Sequence, residues 1–315
     1  MNLPDMKLST PSFTEKDLKD LEFCFNYRID FIALSFVRKA DDIIHLRNWL
    51  NEKGKNIPII AKIEKKEAVE DFENILKVAD GIMIARGDLG VEMNSEDVPI
   101  IQKQIIQRCN AIGKLVITAT QMLESMIKNP IPTRAEASDV ANAVWDGTDV
   151  VMLSGETSVG EHPIDVVRIM NNIIHKAESN FNNRKISFDI SNSIEEKLFD
   201  SLNEAICLMS EHINASAIVV FTTKGRAAKS LSKYRPHSKI IAISNSFETM
   251  NNLCLKWGVI PIYSPVIDKE HIAIENEKKL IMDSGIVNHG EIVIFTTSAP
   301  ISEKSRVNWL RLEVM

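Results

Sequence analysis

The sequence predicts an α/β protein in two parts: a parallel sheet built from successive βα units, followed by a smaller α/β sheet domain. Three observations predict it. Between Thr14 and about Ala177, five short β-branched apolar runs alternate with amphipathic stretches. From Asn182 to Ser193 the chain turns polar and irregular, as a linker does. The same alternation then resumes.

In order, Thr14 ahead of Glu15-Lys16-Asp17 reads as a capping box that opens a helix over Glu15–Asn26. Strands follow at Phe31–Ser35, Pro58–Lys62, Gly81–Ala85, Leu115–Thr118 and Asp149–Leu153. Between them fall helices at Ala40–Glu52, Ala68–Val78, Val98–Ile112 and Arg134–Trp145. Pro163, suited to a first helical position, starts a further helix to Asn180. The second block opens with a helix at Ile194–His212. Its strands are Ala217–Phe221, Lys239–Ser244, Val259–Ile262 and Glu291–Thr296, and its other helices lie near Gly225–Tyr234, Ser246–Trp257 and Lys269–Ser284. No internal repeat interrupts this order.

The 315 residues are enough for two domains, and 44% hydrophobic content fills both cores. With 37 basic against 43 acidic residues the net charge is −6, which offers no broad electropositive face to nucleic acid or an acidic membrane and favours small-molecule partners. Cys24, Cys109, Cys207 and Cys254 lack metal-type spacing and read as reduced, buried small hydrophobes. The opening Met1-Asn2-Leu3-Pro4-Asp5-Met6 has no secretory pattern and no apolar run reaches membrane length, so a cytoplasmic protein is expected. A Leu-Pro loop with no preceding element makes the beginning look cut.

The chemistry gathers where the apolar runs end. Ile57-Pro58-Ile59-Ile60-Ala61 delivers Lys62-Ile63-Glu64, Gly81-Ile82-Met83-Ile84 delivers Ala85-Arg86-Gly87-Asp88, and Leu115-Val116-Ile117 delivers Thr118-Ala119-Thr120-Gln121-Met122. C-terminal ends of neighbouring parallel strands converge on one mouth, so these residues read as a divalent-metal and phosphate site. Glu64 and Asp88 are hard oxygen donors of the type magnesium selects, and Lys62 is a cation for a phosphoryl group or enolate. Gly87 lets the backbone approach a ligand, where free amides can bind a carboxylate. Each residue also has a plainer reading: Lys62 a lysine snorkelling from a strand end, the acids solvated, and Thr120 a hydroxyl bonded to its own backbone. Bottom-up, the set implies a metal-dependent enzyme acting on a small carboxylate or phosphate ester.

Three stretches carry a resemblance: Ile59-Ile60-Ala61-Lys62-Ile63-Glu64, Asp80 through Glu92, and Thr118 through Met126. Pro132-Thr133-Arg134-Ala135-Glu136 and Met152-Leu153-Ser154-Gly155-Glu156-Thr157 extend it. Together they resemble pyruvate kinase, from Asn2 into the C-terminal block. The resemblance implies an incomplete TIM-type β/α barrel over residues 1–182, carrying barrel strands four to eight, and the family's C-terminal α/β domain over 194–315. The first three strands and the lid domain have no counterpart, and the opening resembles an internal methionine of a longer member, as a misplaced start, a split gene or a fragment would leave.

The resemblance further implies phosphoryl transfer from phosphoenolpyruvate to ADP, giving pyruvate and ATP. Lys62 and Thr120 take catalytic roles, Lys62 stabilising the transition state and Thr120 in the proton relay to the enolate. Glu64 and Asp88 hold Mg2+. Lys62, Arg86, Gly87, Asp88 and Thr120 contact substrate, with Arg86 ordering the loop. Ser154-Gly155-Glu156-Thr157, Arg134 and Glu136 support the site or a subunit interface, and Ser35-Phe36 lines its floor. Potassium is expected for the family, but its ligands would come from the absent strands. In the second block Thr222, Thr223, Lys224, Gly225 and Arg226 end a strand and open a helix where regulated members take a sugar-phosphate effector. Here Lys224 and Ala227 alter the hydroxyl-rich pattern, and Thr297 through Ser302 lacks the glycines of an effector loop. Expected partners are the substrates and a homo-oligomer, tetrameric in the family, or a partner fragment. Two other functions fit the same residues: a non-catalytic association or regulatory fragment, and a metal-dependent pyruvate- or phosphoenolpyruvate-type lyase. The Thr-Ala-Thr-Gln-Met block argues against the lyase.

Overall fold

Five of the short apolar runs become five parallel strands. The computed structural model describes residues 12–180, 193–265, 270–297 and 307–315. Backbone contacts divide the chain into one unit of residues 1–110 and 114–182 and another of 111–113 and 183–315. All of the expected linker but Ser193, and the chain's opening residues, lie outside the described residues.

The first unit runs α1 (Glu15–Cys24), β1 (Ile32–Leu34), α2 (Ala40–Glu52), β2 (Ile59–Ile63), α3 (Lys66–Glu70), α4 (Phe72–Val78), β3 (Gly81–Ala85), α5 (Arg86–Glu92) and α6 (Val98–Ala111). It continues with β4 (Leu115–Ala119), a 3-10 turn at Glu124–Ile127, α7 (Arg134–Asp146), β5 (Val150–Met152), α8 (Gly155–Ser158) and α9 (Pro163–Glu178). The strands lie in the order β1-β2-β3-β4-β5, all parallel, with β1 and β5 at the edges and no closure into a barrel among the described residues. Thr14 caps α1 as expected, the Asp17 amide donating to its hydroxyl at 3.3 Å while Asp17 accepts from the Thr14 amide at 2.7 Å. Pro163 opens α9.

The single helix expected over Ala68–Val78 is two, α3 and α4. Asp71 breaks it, because its carboxylate accepts from the first amide of α2, Ala40, at 2.9 Å, and from Asn74 at 2.7 Å. An aspartate so engaged competes with helical bonding at its own position. Gly147 ends α7 in the left-handed region at φ 99°, with its carbonyl accepting from Asn110 at 2.9 Å. A Cβ there would collide with that amide.

Side-chain alternation places the chemistry. Ile59, Ala61 and Ile63 of β2, Ile82 and Ile84 of β3 and Val116 of β4 pack with Leu46, Leu50, Ile75 and Ile106 of the helices in one core. Each fully buried aliphatic side chain there contributes about 1.5–3 kcal/mol. The opposite face is layered by register. Lys62 is level with Met83, Ile117 and Val150, and one layer beyond, Ala85, Ala119 and Met152 are level with one another, with Glu64 just past the end of β2.

The second unit comprises α10 (Ile194–His212), β6 (Ala217–Phe221), α11 (Arg226–Lys233), β7 (Lys239–Ser244), α12 (Phe247–Leu253), β8 (Val259–Tyr263), α13 (Glu270–Asp283), β9 (Ile292–Thr297) and β10 (Trp309–Val314). Its sheet order is β10-β9-β6-β7-β8, parallel except that β10 runs antiparallel to β9. Strand β10 was not expected from the sequence, although Leu310, Leu312 and Val314 alternate with Arg311 and Glu313 in the period-2 pattern of a half-covered strand. All four cysteines are free, and the reading of them as buried holds for Cys109 and Cys207 only. Cys24 is half-buried at the last position of α1, and Cys254 is exposed just past the end of α12.

Glu277 of α13 is buried, and the Ser264 hydroxyl donates to its Oε1 at 2.5 Å. Burial raises its carboxyl above the ordinary 4.5, and Ser264 only partly offsets this. Between the ordinary and the raised value the folded chain holds a proton that the unfolded chain has released. Stability therefore falls as pH rises through that interval, and above it the full cost of a buried charge remains. Glu277→Gln is expected to raise the thermal midpoint at pH 7.5 and to lose that advantage by pH 4. Equal gains at both pH values, read by circular dichroism, would show that the charge at Glu277 is not responsible.

Candidate active site

Lys62 and Glu64 form one cluster. Same-face spacing on β2 brings the Lys62 ammonium 2.6 Å from Glu64 Oε1, with the lysine 23% and the glutamate 2% exposed. The ammonium also donates to the Ser35 hydroxyl at 2.8 Å, and the Phe36 amide donates to Glu64 Oε2 at 2.8 Å. Lys62 is therefore held inward by a carboxylate, not extended to solvent. Nearby, Lys65 pairs with Glu92 at the end of α5.

Arg86, Gly87 and Thr120 form the other cluster. β3 runs directly into α5 at Arg86, and the Gly87 amide, expected free to bind a carboxylate, is not free. It donates to the Thr120 hydroxyl at 2.7 Å, while that hydroxyl donates to the Ala119 carbonyl at 2.6 Å. The Thr120 hydroxyl is thus bonded to its own backbone, the plainer of its two readings, and also takes up the Gly87 amide. Arg86 is 10% exposed, and its guanidinium reaches the carbonyls of Thr120 at 2.9 Å and Gln121 at 3.2 Å and Asp139 Oδ2 at 2.6 Å. Thr120 and Gln121 occupy the left-handed region, at φ 67° and 53°, which costs roughly 1–2 kcal/mol per residue. The two carbonyls bound to Arg86 hold that conformation. Sequence reasoning missed Asp139, and residue spacing gave no signal for it.

Asp88 is the third residue of α5 and half-buried, at the same edge of the adjacent strand as Glu64. Among the described residues no group of three or more His, Cys, Asp or Glu side chains could hold a metal ion. Glu64 and Asp88 would supply two hard carboxylates, which suits magnesium, an ion that takes one or two protein carboxylates and fills its shell with substrate oxygens and water. The donor set fits.

Two glutamates, Glu156 buried and Glu136 half-buried, brace the loop after β4. Glu156 accepts from the amides of Leu123 at 3.1 Å and Ser154 at 2.7 Å. Glu136 accepts from the Ser125 amide and hydroxyl at 2.7 and 2.5 Å and caps α7 with Thr133. Burial works to raise the Glu136 carboxyl, but the bonds from Ser125 and Thr133 together hold it below its ordinary value. Thr157 lies in α8 beside Glu156, and Arg134 heads α7.

Family models for "Pyruvate kinase, barrel domain" and "Pyruvate kinase, alpha/beta domain" match residues 1–167 and 200–313. The chain belongs to the pyruvate kinase family. The pyruvate kinases of Staphylococcus epidermidis strain ATCC 35984 and Staphylococcus aureus strains MRSA252 and USA300 are each 42% identical over 315 residues, covering 100% of this chain and 54% of the relative. The chain thus spans about half the length of the curated pyruvate kinases it matches. The family's barrel region corresponds here to the open five-stranded sheet that carries Lys62, Glu64, Arg86, Asp88 and Thr120. Its α/β domain corresponds to the mixed sheet.

In that domain Thr222 is buried and its hydroxyl accepts from the Gly225 amide at 2.9 Å, while the Thr249 hydroxyl donates to the Thr223 carbonyl at 2.8 Å. Gly225, at φ 74°, precedes Arg226, the first residue of α11, and Lys224 lies in the same turn. An anion arriving here would find the Gly225 amide already bonded. Residues 298–302 of the expected companion loop lie outside the described residues. Among the described residues no helix is long and apolar enough to cross a membrane.

Proposed function

We propose that this chain carries part of the phosphoenolpyruvate and metal site of a pyruvate kinase, whose reaction moves the phosphoryl group of phosphoenolpyruvate to ADP and leaves pyruvate and ATP, a step of glycolysis. The observation that carries the reading is the Lys62–Glu64 pair at the C-terminal edge of the parallel sheet. Glu64 and Asp88 hold Mg2+, which when bound supplies charge neutralisation at the phosphoryl and enolate oxygens. Lys62 offers a fixed ammonium to the transferring group, and Thr120 holds a proton at its hydroxyl on the opposite side. Arg86 keeps Thr120 in place, and Gly87 and Asp88 bound the substrate carboxylate. Potassium ligands and the lid would come from elsewhere, and the setting is the cytoplasm.

The edges β1 and β5 favour association as well. An unpaired strand edge and an open barrel interior are liabilities that pairing with further strands relieves, from another copy or a partner chain. The purified chain is therefore expected to bind phosphoenolpyruvate only with Mg2+ and to give background turnover alone. Calorimetry and a coupled assay with magnesium, potassium, phosphoenolpyruvate and ADP test both statements. Magnesium-independent binding sinks the site, and brisk turnover by the chain alone sinks the need for partners.

A further inference from the structure

Phe36 has φ 56°, in the left-handed region that a bulky side chain rarely adopts, and its ring is exposed. The residues around it explain the bend but not the choice of residue. Leu34 and Val37 are both buried, so the chain must reverse its alternation between them. In doing so it turns the Phe36 amide onto Glu64 Oε2 and the Ser35 hydroxyl toward Lys62.

We infer that the Ser35-Phe36 turn is a clamp that presets Glu64 for a divalent cation. This rests on the reading of Glu64 as a cation ligand. With Oε2 fixed by the amide, Oε1 is the oxygen offered, and it is the one that Lys62 now faces at 2.6 Å. When a cation takes Oε1, the Ser35 hydroxyl keeps the displaced ammonium close by. Phe36 acts only through Glu64, so it is a positioning residue, and the strained backbone is what aims its amide. Partners that orient a ligand are worth about 10–100-fold in metal affinity.

The test measures Mn2+ binding to the purified chain by electron paramagnetic resonance of free Mn2+. Phe36→Gly and Phe36→Val both keep the amide, but glycine accepts positive φ and valine resists it. The expectation is wild-type affinity for Phe36→Gly and about tenfold weaker binding for Phe36→Val. Glu64→Gln loses binding in the same assay. If Phe36→Val binds as wild type while Glu64→Gln does not, the clamp is wrong and the site stands. Should Glu64→Gln bind Mn2+ as tightly as wild type, or the wild type leave Mn2+ free, the site reading fails and the clamp with it. Hydrogen exchange at residue 36 gives a readout independent of variant folding: slow exchange is expected, and exchange at the rate of an open loop overturns the clamp.

Discussion

Arg86→Met is expected to destabilise the chain by about 3 kcal/mol, the lower end for breaking a buried ion pair, because Asp139 is 38% exposed and is partly resolvated. For a unit of this size that is a fall of roughly 6–12 °C in the thermal midpoint. The cause is more than a lost charge pair. The guanidinium also bonds the carbonyls of Thr120 and Gln121, both held at positive φ. Without it the two residues relax toward negative φ, and the Thr120 hydroxyl leaves the Gly87 amide. Arg86→Lys should recover less than half of the loss, since a point charge cannot span three acceptors in a planar fork. A midpoint change under about 2 °C for Arg86→Met would mean that the loop holds itself.

Lys62→Met should have a comparable structural effect and a distinctive remedy. It leaves the buried Glu64 with the Phe36 amide as its one remaining donor in this cluster, at a cost of about 3 kcal/mol. Magnesium at millimolar concentration is expected to raise the midpoint of Lys62→Met more than that of the wild type. In the wild type an arriving cation must displace the ammonium from Oε1, whereas in the variant the oxygen is available. Thermal scans with and without Mg2+ decide this, and equal shifts in the two proteins would place the ion elsewhere. In an enzyme completed by partner chains, the same substitution should lower turnover by about 10²–10³-fold, the scale of losing one fixed charge at the transition state.

The parallel strands and the positions of Lys62, Glu64, Arg86 and Asp88 were legible because each apolar run stops where polar residues begin. Strand β10 was missed although Leu310, Leu312 and Val314 alternate with polar residues, because one short run without flanking turn signals gave no frame for it. The break at Asp71 could not be read, since its cause is the Ala40 amide, 31 positions away. Asp139 was equally hidden: it lies 53 positions from Arg86, on α7, where no motif singles it out.

Sequence alone determined which residues are available for chemistry and on which strand end each one falls, because hydrophobic period and the limits of apolar runs are local properties. Tertiary structure decided how those residues are used. It paired Lys62 with Glu64, closed the Gly87 amide with Thr120, and bent Phe36, Thr120 and Gln121 into conformations that nothing local favours. The physical reason is that a strained dihedral or a buried charge persists only where distant groups compensate it, and those groups meet only after the sheet has set its register.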